Sequence, residues 1–208
     1  MQARFSLGAM RGLGAMGVYP ELYVLRHGET VWNAEGRMQG TLDSPLTERG
    51  CAQARRQGEI LASLGLGGAT HRFFVSPQGR ARQTAGIVLG PLGVVPTLDA
   101  RLREIGLGAY EGLTHADIER RFPGAYDQQD AFLWYDTVPG GEGFAAVAER
   151  VAGFLSDLDG PAVVIAHGML SKFLRGAVLG LDLAATGALP GGQGVVYHLK
   201  DGAHRRLD

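Results

Sequence analysis

LYVLRHGETVWNAEGRMQG, residues 22–40, opens on four apolar or aromatic side chains, Leu22, Tyr23, Val24 and Leu25, and stops abruptly at Arg26, His27 and Gly28. A short apolar run ended by polar residues and glycine reads as a buried strand. In an open α/β sheet, ligands bind just outside the carboxyl ends of strands, so Arg-His-Gly at that point describes a site. Glycine lets the backbone approach a ligand, arginine attracts an anion, and histidine serves as base or nucleophile.

The same arrangement recurs once. Ala162-Val163-Val164-Ile165-Ala166 is the most convincing buried parallel strand in the chain, and His167-Gly168 follows it directly. Between the two, apolar runs alternate with helical spacing. Ser44-Pro45-Leu46-Thr47 supplies a turn and a cap, and Cys51, Ala54, Gly58 and Leu61 then recur as a helix over about 47–63. Arg72-Phe73-Phe74-Val75 reads as a second strand, and Ser76-Pro77 as the cap and first position of the next helix. Arg80 and Arg82 fall near its N-terminus, where the helix dipole disfavours a cation by a few tenths to ~1 kcal/mol. An anion bound there reverses the argument, because backbone N–H groups and an arginine converge on it.

Residues 94–98 read as a third strand, and residues of about 105–140 show no clear strand. A helix after Pro139-Gly140-Gly141-Glu142 carries Phe144, Val147, Ala148, Val151 and Leu155 on one face. A helix over 169–179 and a hairpin around Asp201-Gly202 close the chain. This alternation predicts a three-layer α/β/α fold with a mainly parallel central sheet and a small insertion over about 105–140, which the resemblance described below makes a lid region. Residues 21–208 are expected to form one domain behind a loose N-terminal extension at 1–20, with the natural start placed at Met16.

Composition narrows the function classes. A chain of 208 residues is long enough for one sizeable core. A formal net charge of −1 argues against general nucleic-acid or membrane-surface binding. No apolar run approaches the ~20 residues that span a bilayer, and glycines with Arg11 interrupt any signal-peptide core, so a cytoplasmic location is expected. The single Cys51 can form no internal disulfide and is read as a small core residue. Gly12-Leu13-Gly14-Ala15-Met16-Gly17 fits GxGxxG but precedes the first strand, so it is read as chance. No metal-binding spacing occurs, and His198 and His204 are read as surface or hairpin residues.

The polar residues after the first strand extend into a longer pattern. Arg26-His27-Gly28-Glu29-Thr30, Asn33, Gln39-Gly40, Asp43, Ser44-Pro45-Leu46-Thr47 and Gly50 together resemble the opening of the histidine phosphatase superfamily. That superfamily includes cofactor-dependent phosphoglycerate mutases and many small phosphatases. Residues 76–85, SPQGRARQTA, are similar to its second arginine segment, with Arg80 in the matching place and Gln78 as a departure. Residues 102–112, LREIGLGAYEG, are similar to the segment whose first glutamate is the proton donor, here Glu104, with Tyr110 where tryptophan is common. Gly168 stands where the acid-phosphatase branch has aspartate, which aligns the chain with the mutase-like branch.

The resemblance implies a phosphohistidine formed at His27, with Arg26, Arg80 and His167 holding the phosphoryl oxygens. Glu104 is expected to protonate the leaving oxygen and then activate water. Asn33, Gln39, Gly40 and Gly168 are expected to bind substrate. The insertion, with His115, Arg120, Arg121, Phe132, Trp134 and Tyr135, is expected to cover the site, although its aromatic residues can equally pack it onto the body. The expected function is metal-independent hydrolysis of small-molecule phosphomonoesters, with no cofactor and no partner beyond a phosphorylated substrate, a homodimer being left open. The alternatives are a cofactor-dependent phosphoglycerate mutase, and a non-catalytic phosphate-ligand sensor that ought to have lost one of His27, Arg80, Glu104 or His167.

Overall fold

A computed structural model describes residues 19–126 and 130–208. Most of the expected N-terminal extension, the GxGxxG match and three residues of the insertion lie outside the described residues. The strands are β1 (Leu22–Arg26), β2 (Arg72–Val75), β3 (Thr97–Leu98), β4 (Ala162–Ala166), β5 (Val196–Lys200) and β6 (Ala203–Leu207). They form one six-stranded sheet in the order β3-β2-β4-β1-β5-β6. The pairs from β3 to β1 are parallel, and β5 and β6 add on antiparallel. The α/β class and the mainly parallel sheet therefore stand as expected.

Strand periodicity divides the core into two layers. Leu22, Val24, Phe74, Ala162, Val164 and Ala166 face one side, where α5 (Gly143–Ser156) and α6 (Gly168–Val178) bury Phe144, Val147, Phe154, Leu170 and Phe173. Tyr23, Leu25, Phe73, Val75, Val163 and Ile165 face the other, against α2 (Glu48–Ser63) and α3 (Gly79–Leu89). Side chains that alternate along a strand can bury both faces only if helices cover both. The remaining helices are short: α1 (Val31–Ala34), α4 (His115–Arg121) and α7 (Leu183–Ala188). No helix among the described residues is long and apolar enough to cross a membrane.

The third strand is shorter than expected. Gly93 adopts a left-handed conformation, Pro96 has no N–H to donate, and Val95 is 92% exposed, so pairing is confined to Thr97 and Leu98. Helix α3 begins at Gly79 rather than at Pro77. Ser76 does not cap it: Gln78 holds the cap position, and the Ser76 hydroxyl accepts from the Gln78 N–H and touches His167. Cys51 is half-buried on α2 and outside both core layers, a correction to its reading as a core residue. The terminal hairpin turns where expected, with Asp201 and Gly202 both at positive φ, 50° and 75°.

Candidate active site

Parallel neighbours β1 and β4 end side by side, Arg26 opposite Ala166, and the His27 N–H donates to the Ala166 carbonyl at 3.0 Å. The chain then leaves β1 toward the face covered by α2 and leaves β4 toward the face covered by α6. Such a divergence opens a crevice at the carboxyl edge of a parallel sheet. A cavity of about 600 Å³ lies there, lined among others by Arg26, His27, Asn33, Arg80, Glu104 and Gly168.

His27 is 2% exposed. Its Nδ1 lies 2.7 Å from the Gly28 carbonyl, which can only accept, so Nδ1 carries the proton and Nε2 keeps its lone pair. Arg80 Nε donates to that Nε2 at 3.3 Å, consistent with the same tautomer. Burial, followed by the charges of Arg26 and Arg80, holds the His27 pKa well below the usual imidazole range. The ring is thus neutral, and its orientation is fixed by its other nitrogen.

Gly28 serves packing rather than ligand approach. A Cβ there would lie 2.3 Å from the Gly50 carbonyl oxygen, so the two glycines let α2 settle against the strand end.

Arg80 is 2% exposed and extensively hydrogen-bonded, with one Nη2 N–H left over for a ligand. Its guanidinium donates to Leu42 O at 2.6 Å, Asp43 Oδ1 at 2.9 Å and Gly40 O at 3.0 Å. Asp43 also accepts from the N–H groups of Gly79 and Arg80 at 2.6 and 3.2 Å. The anion expected at this helix N-terminus is therefore Asp43. Arg80 faces the cavity through its side chain, not through a helix-terminal nest. Burial lowers the Arg80 pKa, while Glu104 and Asp43 oppose that shift. Arg82 is exposed.

Arg26 is half-buried, and its guanidinium lies over Gly168, where a Cβ would come within 3.3 Å of Arg26 Cζ. Arg26 Nε is buried without a hydrogen-bond partner among the described residues, and so is His167 Nδ1. Arg26 Nε can only donate, and His167 Nδ1 donates when Nε2 accepts the Ser76 hydroxyl proton. Unpaired buried donors of this kind fit an anionic ligand, because leaving each one unsatisfied costs about 1–3 kcal/mol. His167 is fully buried, with its ring centroid 5.2 Å from that of His27 and its Nε2 2.7 Å from Ser76 Oγ. Burial, then Arg80 and His27, pushes its pKa well below the ordinary value.

Glu104 enters from the loop after β3 and meets the N-terminus of α6. Its Oε1 accepts from Ile105 N and Leu170 N at 3.1 and 3.0 Å, and its Oε2 from Met169 N at 3.1 Å. Two donors fill Oε1, so Oε2 is the oxygen with a site left for a transferable proton.

The other expected binding residues line the same cavity. Asn33 Oδ1 accepts from Thr30 N and Gln193 Nε2, which leaves its amide N–H groups as donors. Gln39 is buried with Oε1 unpartnered among the described residues, and Gly40, at φ +52°, turns its carbonyl onto Arg80. From the insertion, Phe132 and Tyr135 reach the cavity. Trp134 instead is 3% exposed, stacked between Tyr110 and Tyr126. His115 bonds to the Tyr126 hydroxyl at 2.7 Å and Arg120 pairs with Asp117, away from the cavity lining.

Several contributors carried no warning in the sequence. In the sequence Ser76 reads as a cap, Gln78 as a departure, and Arg37, Met38 and Lys172 have no mark of a site, yet the last three line the cavity. The helical repeat of Gly168, Met169 and Lys172 was the available signal for the last.

The profile of the histidine phosphatase superfamily (branch 1) matches residues 22–206. The chain is 37% identical over 166 residues to the "Probable phosphoglycerate mutase GpmB" of Salmonella paratyphi B, covering 77% of this chain and 75% of that one. A mycobacterial glucosyl-3-phosphoglycerate phosphatase, solved with VO3, superposes with a TM-score of 0.72 at 34% identity, covering 90% of this chain and 96% of its own. YhfR of Bacillus stearothermophilus gives the same TM-score and identity over 89% and 94%.

Proposed function

The chain belongs to branch 1 of the histidine phosphatase superfamily and is a phosphomonoester hydrolase; from that premise we propose metal-independent hydrolysis of small-molecule phosphomonoesters through a phosphohistidine at His27, with Glu104 as proton donor. The observation that carries this reading is the neutral His27 at the cavity, its Nδ1–H fixed on the Gly28 carbonyl and its Nε2 unprotonated, held only by a long 3.3 Å contact from Arg80 Nε that an incoming phosphoryl group can replace.

In the first step Nε2 attacks phosphorus and the bond to the ester oxygen breaks. The departing oxygen takes the proton from Glu104 Oε2 and leaves as the alcohol. Positive charge builds on the ring during attack, and the Nδ1–H bond to the Gly28 carbonyl stabilises it. The Arg26 and Arg80 guanidiniums and the buried His167 Nδ1 meet the phosphoryl oxygens, supplying the fixed charge that dominates phosphoryl transfer. In the second step the Glu104 carboxylate takes a proton from water as its oxygen attacks phosphorus. The P–N bond breaks, inorganic phosphate leaves, and neutral His27 returns.

The cavity extends past the phosphoryl site along Met38, Leu107, Phe132, Tyr135 and Met169, with Lys172 at its wall. It therefore suits an alcohol portion with an apolar face and room for polar substituents. A mutase reading draws support from the name of the Salmonella relative, but Arg120 and Arg121, the chain's paired arginines in the insertion, do not line the cavity. The phosphatase reading is the stronger.

The test is p-nitrophenyl phosphate hydrolysis in EDTA, comparing wild type with His27→Ala. Turnover in the wild type and none in the variant is expected. Loss of wild-type turnover in EDTA would refute the metal-free mechanism. Retained phosphate after priming with 2,3-bisphosphoglycerate, with transfer to phosphoglycerate instead of water, would establish the mutase.

A further inference from the structure

Gln78 is the departure in the segment around the second arginine, and it is 7% exposed at a junction of loops. Its Oε1 accepts from the Glu104 N–H at 2.7 Å, and its Nε2 donates to the Gly40 carbonyl at 2.9 Å. That carbonyl also accepts from Arg80 Nη2 at 3.0 Å. The Gln78 backbone N–H donates to Ser76 Oγ, the hydroxyl that touches His167. One residue is thus bonded to the main chain of the acid, to the carbonyl that orients the guanidinium, and to the hydroxyl beneath the second histidine.

We propose that Gln78 is a positioning residue that holds the Glu104 loop in register with Arg80, so that proton donor and phosphate clamp address the same phosphoryl group. This rests on the reading of Glu104 as the acid. The Glu104 carboxylate is tied to α6, whereas Arg80 belongs to α3 on the opposite face of the sheet. Gln78 spans these two parts of the site. An apolar side chain of similar length fills the space but bonds neither Glu104 N–H nor Gly40 O, and the loop loses its anchor beside the acid. A displacement of ~1 Å at a reacting group lowers the rate by about 10²-fold.

The effect should depend on the leaving group. A p-nitrophenolate departs with little help from an acid, whereas an alkoxide needs its proton. The experiment measures kcat/KM for glycerol 2-phosphate and for p-nitrophenyl phosphate in wild type, Gln78→Leu and Glu104→Gln, with Gln78→Met as the second variant if leucine fails to fold. The alkyl-to-aryl ratio of kcat/KM is expected to fall by about 10- to 100-fold in the Gln78 variants, in the same direction as in Glu104→Gln. A ratio that moves in Glu104→Gln and stays at the wild-type value in folded Gln78 variants overturns the positioning role alone. A ratio unmoved in Glu104→Gln overturns the acid reading and the Gln78 proposal with it. Equal losses on both substrates in the Gln78 variants identify a general structural role and also overturn it.

Discussion

The two His-Gly strand ends look alike in sequence and differ in what surrounds them. After β1, His27 donates Nδ1–H to the carbonyl of its own neighbour Gly28 and lines the cavity with Nε2. After β4, His167 places Nε2 against Ser76 and retains an unpartnered Nδ1. The glycines differ as well: Gly28 abuts backbone of α2, and Gly168 abuts the movable end of the Arg26 side chain. A repeated motif therefore yields two different ring environments, which the proposed mechanism uses as one nucleophile and one supporting donor. Local backbone fixes the tautomer in the first case and a distant serine orients the ring in the second.

The largest effect should separate the histidines. His27→Ala is expected to lower turnover by ~10⁴-fold or more, as removal of a covalent nucleophile does. His167→Ala should lower it by about 10²–10³-fold, the scale of one lost charge-stabilising donor. Steady-state rates together with ³¹P detection of phosphohistidine measure both. Phosphoenzyme persisting in His27→Ala and absent in His167→Ala would exchange the roles.

The glycines should divide stability from activity. Gly28→Ala forces a Cβ to within 2.3 Å of a backbone oxygen and should destabilise the fold by about 3 kcal/mol or more. Gly168→Ala, at 3.3 Å from a guanidinium, should stay within ~1 kcal/mol of wild type because the arginine can yield. Its kcat/KM should nevertheless fall by about tenfold as Arg26 is displaced. Urea unfolding beside steady-state kinetics reads both quantities, and equal stabilities of the two variants would erase the distinction.

Acid should act on the two histidines together. Both are held neutral in the folded state by burial and nearby arginines, whereas in the unfolded chain they take protons near pH 6.5. Because the unfolded state binds more protons below that value, their contribution is complete above about pH 6.5 and declines as pH falls toward the depressed folded pKa values. The loss amounts to at most about 1.4 kcal/mol per pH unit for each ring. The slope of unfolding free energy against pH below 6.5 should be shallower in His167→Gln by about that amount. An unchanged slope would mean that the second ring is charged when folded.

The smallest effect falls on Ser76→Ala, which should cost about 0.5–1.5 kcal/mol in stability for one buried hydrogen bond. It should also reduce turnover several-fold, since the His167 ring loses its orienting contact. A variant with wild-type kinetics would make Ser76 a packing residue only.

Much of this design was legible in residue order. The unbroken apolar runs Leu22 to Leu25 and Val163 to Ile165 report strands buried on both faces, because successive side chains point to opposite sides. His27, Arg26 and His167 were visible because a polar residue after an apolar strand is local information. Arg80 and Glu104 were reached by resemblance alone, since a lone arginine on a helix or a glutamate in a loop has no signature of its own. The third strand was overread because valines at 94 and 95 carry strand propensity, while Gly93 and Pro96 deny them partners.

The sequence by itself determined which segments become strands and helices, and which strand ends carry the polar residues of the candidate site. These follow from periodicity, glycine and proline, which act over a few residues. Only the tertiary structure decided that Asp43 occupies the α3 terminus, that Ser76 touches His167 and that Gln78 bonds the Glu104 main chain. It also decided that Glu104 lies on the N-terminus of α6 and that Trp134 packs inside the insertion. Each of these depends on hydrogen bonds or stacking between groups far apart or differently oriented in the chain. Their geometry exists only once β1 and β4 have paired and helices have closed over both faces of the sheet.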